Sequence, residues 1–344
     1  MFVHLRCHSH YSFLRAVPRP EEIIAAAAEQ ARASHAALPE SLRGGAVALT
    51  DANGLYAAVP FYLAAREAGV KPIIGAVLDI EFRVSSDDFR VTKSETRNSK
   101  SETRERSLLL LAANLQGYSN LCRLVTQRQI DEKPVSLEAL NEYRAGLIAL
   151  CPVNNETRKP KIETRTNGRA ECRVSSFEFR ERIAALKDIF QDALYLEVQN
   201  LGPGDGRALR EAVRLSRELG APIAATNNVH FLRPEEHLHH RVLNAIRAGA
   251  LLTTVAPPDI TTAEAWFKSA EEMRRAFPDH PQALTATLEI AERCNLELPL
   301  GKTIFPEFPV PAGETPFSYL WKLCFEGARR RYQPPTPEVL ARLT

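Results

Sequence analysis

Nothing in the 344 residues approaches the roughly 18 consecutive apolar positions that a membrane-spanning helix needs. The longest apolar run, Leu108 to Ala113, is the length of a strand. Met1 to His10 has no basic region followed by an apolar one, which predicts a chain without a secretory leader and a cytoplasmic setting. The six cysteines (Cys7, Cys122, Cys151, Cys172, Cys294, Cys324) form no C-x-x-C pair, so they read as reduced thiols rather than a disulfide framework or a zinc ribbon. Charge of one sign is also missing: 44 Lys+Arg against 42 Asp+Glu leave +2, which excludes a wholly basic nucleic-acid binder. No Gly-rich phosphate loop, G-x-S-x-G elbow, G-x-G-x-x-G fingerprint or H-E-x-x-H helix occurs.

What is present is the alternation of an α/β protein. Short runs rich in Val, Ile and Leu predict strands at 3–7, 46–50, 72–80, 108–113, 146–151, 193–198 and 222–226. Helical patterns lie between them, at 20–37, 57–68, 118–129, 180–189, 206–219 and 234–248. Such an alternation is how a parallel sheet with crossover helices is written, and seven strands favour a closed or nearly closed β/α barrel over an open sheet. From residue 251 to 344 the pattern turns helical (263–277, 281–294, 316–332 and 337–343), broken by the Pro-rich stretch 305–311, and predicts a small second unit beginning after a barrel of residues 1–250.

Two segments do not fit the barrel. The decad 81–90 recurs in altered form at 171–180, and a Glu-Thr-Arg triplet appears at 95–97, 102–104, 156–158 and 163–165. Polar repetition with few apolar anchors cannot support a packed core, so 83–106 and 155–177 read as solvated insertions. Seven basic against five acidic residues in 83–106 also fit a nucleic-acid-binding arm.

Candidate chemistry gathers at strand ends, where a β/α barrel places its active site. His8-Ser9-His10 has the spacing of two metal ligands, Thr50-Asp51 follows the second strand, Asp79 closes the third, and Asn228-Val229-His230 follows the last. Converging groups of this kind suit a multi-metal phosphoesterase. Equally, Asp51 can cap a turn at Asn53-Gly54 and the histidines can be isolated surface residues; spacing does not separate the two. His237, His239 and His240 read as a solvated helix face.

Several motifs are more specific. Phe2 to Arg15, Ala48-Leu49-Thr50-Asp51, Gly54-Leu55-Tyr56 and Gly69 to Gly75 closely resemble the start of bacterial DNA polymerase III α subunits, the PHP (polymerase and histidinol phosphatase) domain. Ser12-Phe13-Leu14-Arg15 and Leu108 to Asn114 with Gly117 to Leu124 resemble the error-prone, translesion type more narrowly. The resemblance continues through Asn228 to Leu232, Ala291 to Cys294 and Glu326 to Tyr332, covering nearly everything but the two insertions.

The resemblance implies a distorted (β/α)7 barrel followed by a small, mainly helical extension leading toward a polymerase region. In an intact member it implies His, Asp, Glu and Cys ligands for up to three metals. Carried over position by position, three survive here: His8, Asp51 and His230. The other family positions hold Arg6, Ala52, Val77, Ser107, Val153 and Asn228. His10 and Asp79 are candidate substitutes, and Arg6 is expected to pair with Asp51, replacing metal charge by a salt bridge.

So depleted a ligand set predicts no cofactor in this chain beyond weak zinc or manganese at the residual site, and no catalytic residue. The parent is implied to be a DNA-directed DNA polymerase that uses magnesium, with DNA and polymerase accessory or translesion proteins as partners. No Asp-x-Asp pair for polymerase metals occurs, so this portion is expected to be inactive alone and to act as a scaffold. A freestanding PHP metal-dependent phosphoesterase and a non-functional gene fragment are the competing readings.

Overall fold

The computed structural model describes residues 2–34, 38–82, 104–153, 171–202, 205–255, 261–303 and 306–343. By packing, residues 1–297 form one compact unit and 298–344 another.

In the first unit the chain runs α1 (Pro20–Ser34), β1 (Ala46–Ala52), α2 (Ala58–Glu67), β2 (Lys71–Phe82), β3 (Arg104–Ala112), α3 (Leu115–Asp131), α4 (Leu137–Glu142) and β4 (Leu147–Pro152). It continues through α5 (Glu171–Phe190), β5 (Leu194–Val198), α6 (Asp205–Leu219), β6 (Ile223–Ala225), α7 (His237–Ala248), α8 (Ala270–Ala276) and α9 (Pro281–Arg293). The strands form one curled sheet in the order β1-β2-β3-β4-β5-β6.

The expected seventh strand, residues 3–7, is reduced to isolated bridges, but it still joins the sheet's two ends. His4 pairs with Val47 of β1 and Cys7 with Val229, four residues past β6. Ala48 N–H donates to His4 O at 2.9 Å and His8 N–H to Val229 O at 2.9 Å. The ring is therefore closed by a segment with few ladder bonds of its own.

One strand runs against the parallel expectation. β3 is antiparallel to both β2 and β4, whereas β1/β2, β4/β5 and β5/β6 are parallel. Apolar runs carry no direction, so composition could not show the reversal. Its consequence is that the beginning of β3, not its end, lies beside the end of β2, with Ser107 opposite Asp79.

The strands are buried on both faces, which is why they read as unbroken apolar runs. Residues of one parity (Ala48, Ile73, Val77, Leu109, Ile148, Leu150, Tyr195, Ala224) meet Val3 and Leu5 in one cluster, with Ala286, Ile290 and Ala291 of α9. Those of the other parity (Leu78, Ile80, Leu110, Cys151, Leu196) pack beneath Leu121 and Leu124 of α3, Ile183 and Leu186 of α5, and Leu215 of α6. α3 lies close to β4 because position 117 is glycine: a Cβ there would stand 1.8 Å from Gly146 O.

Several expectations change here. A boundary was expected near residue 250, but the packing division falls between Glu297 and Leu298, because α8 and α9 send Met273, Phe277, Leu284 and Ile290 into the barrel's cores. The helix expected over 263–277 is confined to α8; Trp266 instead bridges Phe231, and Asn227 Nδ2 donates to Glu264 O and Trp266 O. Of the two expected insertions, 83–103 and 155–170 lie outside the described residues, whereas 104–106 extend β3 and 171–177 begin α5. The second unit holds α10 (Pro316–Arg331) and α11 (Pro337–Leu343). Among the described residues no helix is long and apolar enough to cross a membrane.

Candidate functional site at the barrel mouth

The end of β1, the segment leaving the first bridge, the end of β5 and the stretch after β6 bring their polar side chains to one rim. Asp51 is buried there and fully engaged. It accepts from Ser9 N–H, Ser9 Oγ and Ser12 Oγ, each at 2.7 Å. Burial pushes its carboxyl pKa up, and the three serine bonds oppose that rise. Ser12 Oγ also accepts from Ala52 N–H at 3.1 Å, so the 9–15 loop is pinned to the strand end. Neither serine's part was anticipated from sequence.

Arg6 does not pair with Asp51. Its Nη1 donates at 2.7 Å to Glu197 Oε2, an acid with no exposed surface at all. The other Glu197 oxygen accepts from Thr226 Oγ1 and, at 2.9 Å, from Gln199 Nε2. Arg6 Nε is buried without a hydrogen-bond partner among the described residues. Glu197 is the functional position the sequence reading missed. Its signal was there: a lone carboxylate inside Leu194–Val198, a strand otherwise apolar, must find a partner or be neutralised.

The histidines form a chain of rings. His8 and His230 have centroids 4.5 Å apart, and His230 and His240 5.3 Å. The His8 nitrogens face Ser12 Oγ at 3.3 Å and Asn228 Oδ1 at 3.2 Å. His230 Nδ1 donates to Asn228 O at 2.7 Å; Asn228 sits at φ +46°, a left-handed conformation that asparagine tolerates better than most residues. His240 Nε2 accepts from Thr261 N–H at 3.0 Å, which places its proton on Nδ1. His240 is therefore buried, not on a solvated face; only His239 is exposed, and His237 is half-buried with Nε2 donating to Thr261 O. Burial above all, and then neighbouring positive charge, lowers these imidazoles: His8 well below its usual range, His230 to about 3 and His240 to about 4. At neutral pH all three are uncharged.

The two candidate substitutes are spent elsewhere. His10 is exposed, its ring tilted against Tyr11 with centroids 4.5 Å apart. Asp79 accepts from Asn53 Nδ2 at 2.7 Å and faces Arg128 at 3.5 Å. The remaining family positions do border the rim: Ala52 pairs with Val77, Ser107 lies opposite Asp79, and Val153 N–H donates to Glu197 O. Cys7 supplies no nucleophile, because burial and the Asp51 charge push its thiol far above the usual range.

Compared with known families, residues 4–201 match the PHP domain. The chain belongs to the PHP domain family. It is 34% identical over 345 residues to the DNA polymerase III subunit alpha of Bacillus subtilis, a match spanning 99% of this chain and 27% of that protein. The corresponding subunit of Escherichia coli K12 is 31% identical over 348 residues. The error-prone DNA polymerase of Symbiobacterium thermophilum is 31% identical over 355 residues, 30% of its length. The chain thus spans between a quarter and a third of the relatives it matches.

A PHP metal cluster does not fit the donors at this mouth. A zinc ion takes at least three protein ligands, and a multi-metal site takes more. Both oxygens of Asp51 and of Glu197 are engaged, which leaves one ring nitrogen each of His8 and His230 as the readiest donors among them. Among the described residues, no three His, Cys, Asp or Glu side chains are grouped to hold an ion. The Arg6 guanidinium at this rim also repels a cation.

Proposed function

We propose that this chain is the N-terminal PHP portion of an error-prone DNA polymerase III α subunit, and that its barrel supports the polymerase without hydrolysing phosphate esters. The buried Arg6–Glu197 pair carries this reading, because it puts fixed protein charge where the family resemblance implies a metal ligand. The error-prone assignment is supported by Ser12-Phe13-Leu14-Arg15, by Leu108 to Asn114 with Gly117 to Leu124, and by the similarity to the Symbiobacterium enzyme. In the parent, DNA-templated nucleotidyl transfer past lesions would use magnesium held by residues outside this chain, with DNA and translesion accessory proteins as partners. Residues 298–344 would lead toward that polymerase region.

The test is direct. The purified chain is dialysed against zinc, manganese and magnesium in turn, its metal content is measured by plasma mass spectrometry, and hydrolysis of bis(4-nitrophenyl) phosphate is followed. Substoichiometric metal and no chelator-sensitive turnover are expected. Stoichiometric metal with turnover that disappears in His8→Ala would establish a freestanding phosphoesterase instead. For the error-prone type, the parent polymerase is expected to extend a primer across an abasic template site; arrest at that site would assign a replicative α subunit.

A further inference from the structure

We propose that the floor of the barrel, at the end opposite the mouth, carries a binding site for a free acidic α-amino acid. A cavity of about 310 Å³ opens there between the turn before β1, the turn before β2 and the chain leaving α9. That volume suits a ligand at the small end of the usual range. The two turns approach this closely because position 44 is glycine: a Cβ there would stand 2.0 Å from Gly69 O. Lys71 opens β2, pairs with Ala46 at the start of β1 and has the parity of Ile73 and Val77, which puts its side chain at the lower end of the lumen. Val70, Cys294 and Leu296, all buried, form the apolar part of the wall.

Three charged side chains line the cavity, and none is in an ion pair among the described residues. Lys71 is half-buried, and its Nζ donates at 2.9 Å to Asn295 Oδ1, a neutral acceptor. Burial lowers its pKa, and the attractions of Cys294 and Glu292 only partly offset that, so the ammonium lacks the counter-charge its burial calls for. Glu292 itself accepts from Ser41 Oγ at 3.3 Å. The Arg66 guanidinium lies 5.8 Å from the centre of the Tyr62 ring and has its N–H groups to give. Glu297 brings the third charge, a carboxylate without a partner. The undescribed residues nearest in sequence, 35–37 and 304–305, hold no Asp or Glu that could neutralise either cation. Two unpaired cations and one unpaired carboxylate on one wall are matched by a molecule with two carboxylates and one ammonium, each able to make charge-assisted hydrogen bonds. A simple anion would leave Glu297 unpaired and facing like charge. The site stands apart from the scaffold reading, and neither depends on the other.

L-Glutamate, glutarate, which lacks the ammonium, and L-glutamine, which lacks the second carboxylate, are titrated into the full chain by isothermal titration calorimetry. L-Glutamate is expected to bind at one site, at least about tenfold more tightly than either analogue. Arg66→Gln and Lys71→Gln should each weaken L-glutamate at least about tenfold. Glu297→Gln should remove the preference for L-glutamate over glutarate, an effect that a merely unfolded variant would not give. Arg66 and Glu297 are exposed, so circular dichroism and thermal midpoints of these two variants should match the wild type. No saturable heat with L-glutamate, unchanged affinity in Arg66→Gln and Lys71→Gln, or glutarate bound as tightly as L-glutamate by the wild type overturns the proposal.

Discussion

Arg6 and Glu197 lie 191 residues apart in the chain and meet at 2.7 Å inside the barrel, joining the segment that closes the ring to β5. Removing either partner strands the other charge in a buried site. Glu197→Leu is expected to lose about 3–5 kcal/mol of unfolding free energy. Arg6→Met/Glu197→Leu should recover most of that loss, since an apolar pair of similar volume avoids desolvation. Urea unfolding of the four members of this double-mutant cycle measures the coupling; simple additivity would show that the pair contributes nothing.

Stability is expected to fall as pH drops from about 6.5 to about 4. His4, wedged between Phe2 and Phe267 with Nε2 donating to Lys268 O, is lowered to about 4 by burial, and His240 equally. A lowered histidine is neutral in both states above 6.5; below that the unfolded chain binds the proton first, so folding is opposed until the folded group titrates. Each such group amounts to on the order of 3 kcal/mol across the window. Asp51, whose pKa is raised, works in the opposite sense, binding its proton more readily when folded, at the acid end of the range. Unfolding midpoints between pH 7 and 4 should be flatter in His4→Gln.

Ser12→Ala removes a donor to Asp51 and the acceptor for Ala52 N–H in one change. A loss of about 1–3 kcal/mol is expected. Hydrogen exchange at Ala52 should quicken, while amides in the α9 core keep their protection. Unchanged exchange at Ala52 would mean that the loop is held by other contacts.

Gly117→Ala should cost about 2 kcal/mol or more, since its Cβ would drive into Gly146 O and disturb the Asn114 cap that accepts from Gly117 N–H at 3.0 Å. Thermal unfolding checks this, with Gly202→Ala, where a Cβ meets nothing within 4 Å, as the control.

The strand positions and most helices were legible because burial on both faces leaves continuous apolar runs and helical periods between them. Direction was not: Leu108 to Ala112 reads the same whichever way the strand runs. At the site, His8, Asp51 and His230 could be named from order and spacing, but their partners could not. Sequence cannot rank Asp51 against Glu197 as the mate of Arg6, since only the folded ring decides which acid faces it. His237 and His240 at i, i+3 announce a shared helix face without revealing that the barrel mouth covers one of them.

The closure of the ring by residues 2–8 also constrains the order of assembly. During synthesis this segment leaves the ribosome more than two hundred residues ahead of Val229, the position its Cys7 must bridge. Arg6 stays hydrated through that interval, and Val3 and Leu5 stay without their lumen neighbours from β5 and β6. The barrel is completed late, by a strand made early, so the half-built sheet has an open edge that a chaperone or a neighbouring nascent chain can reach.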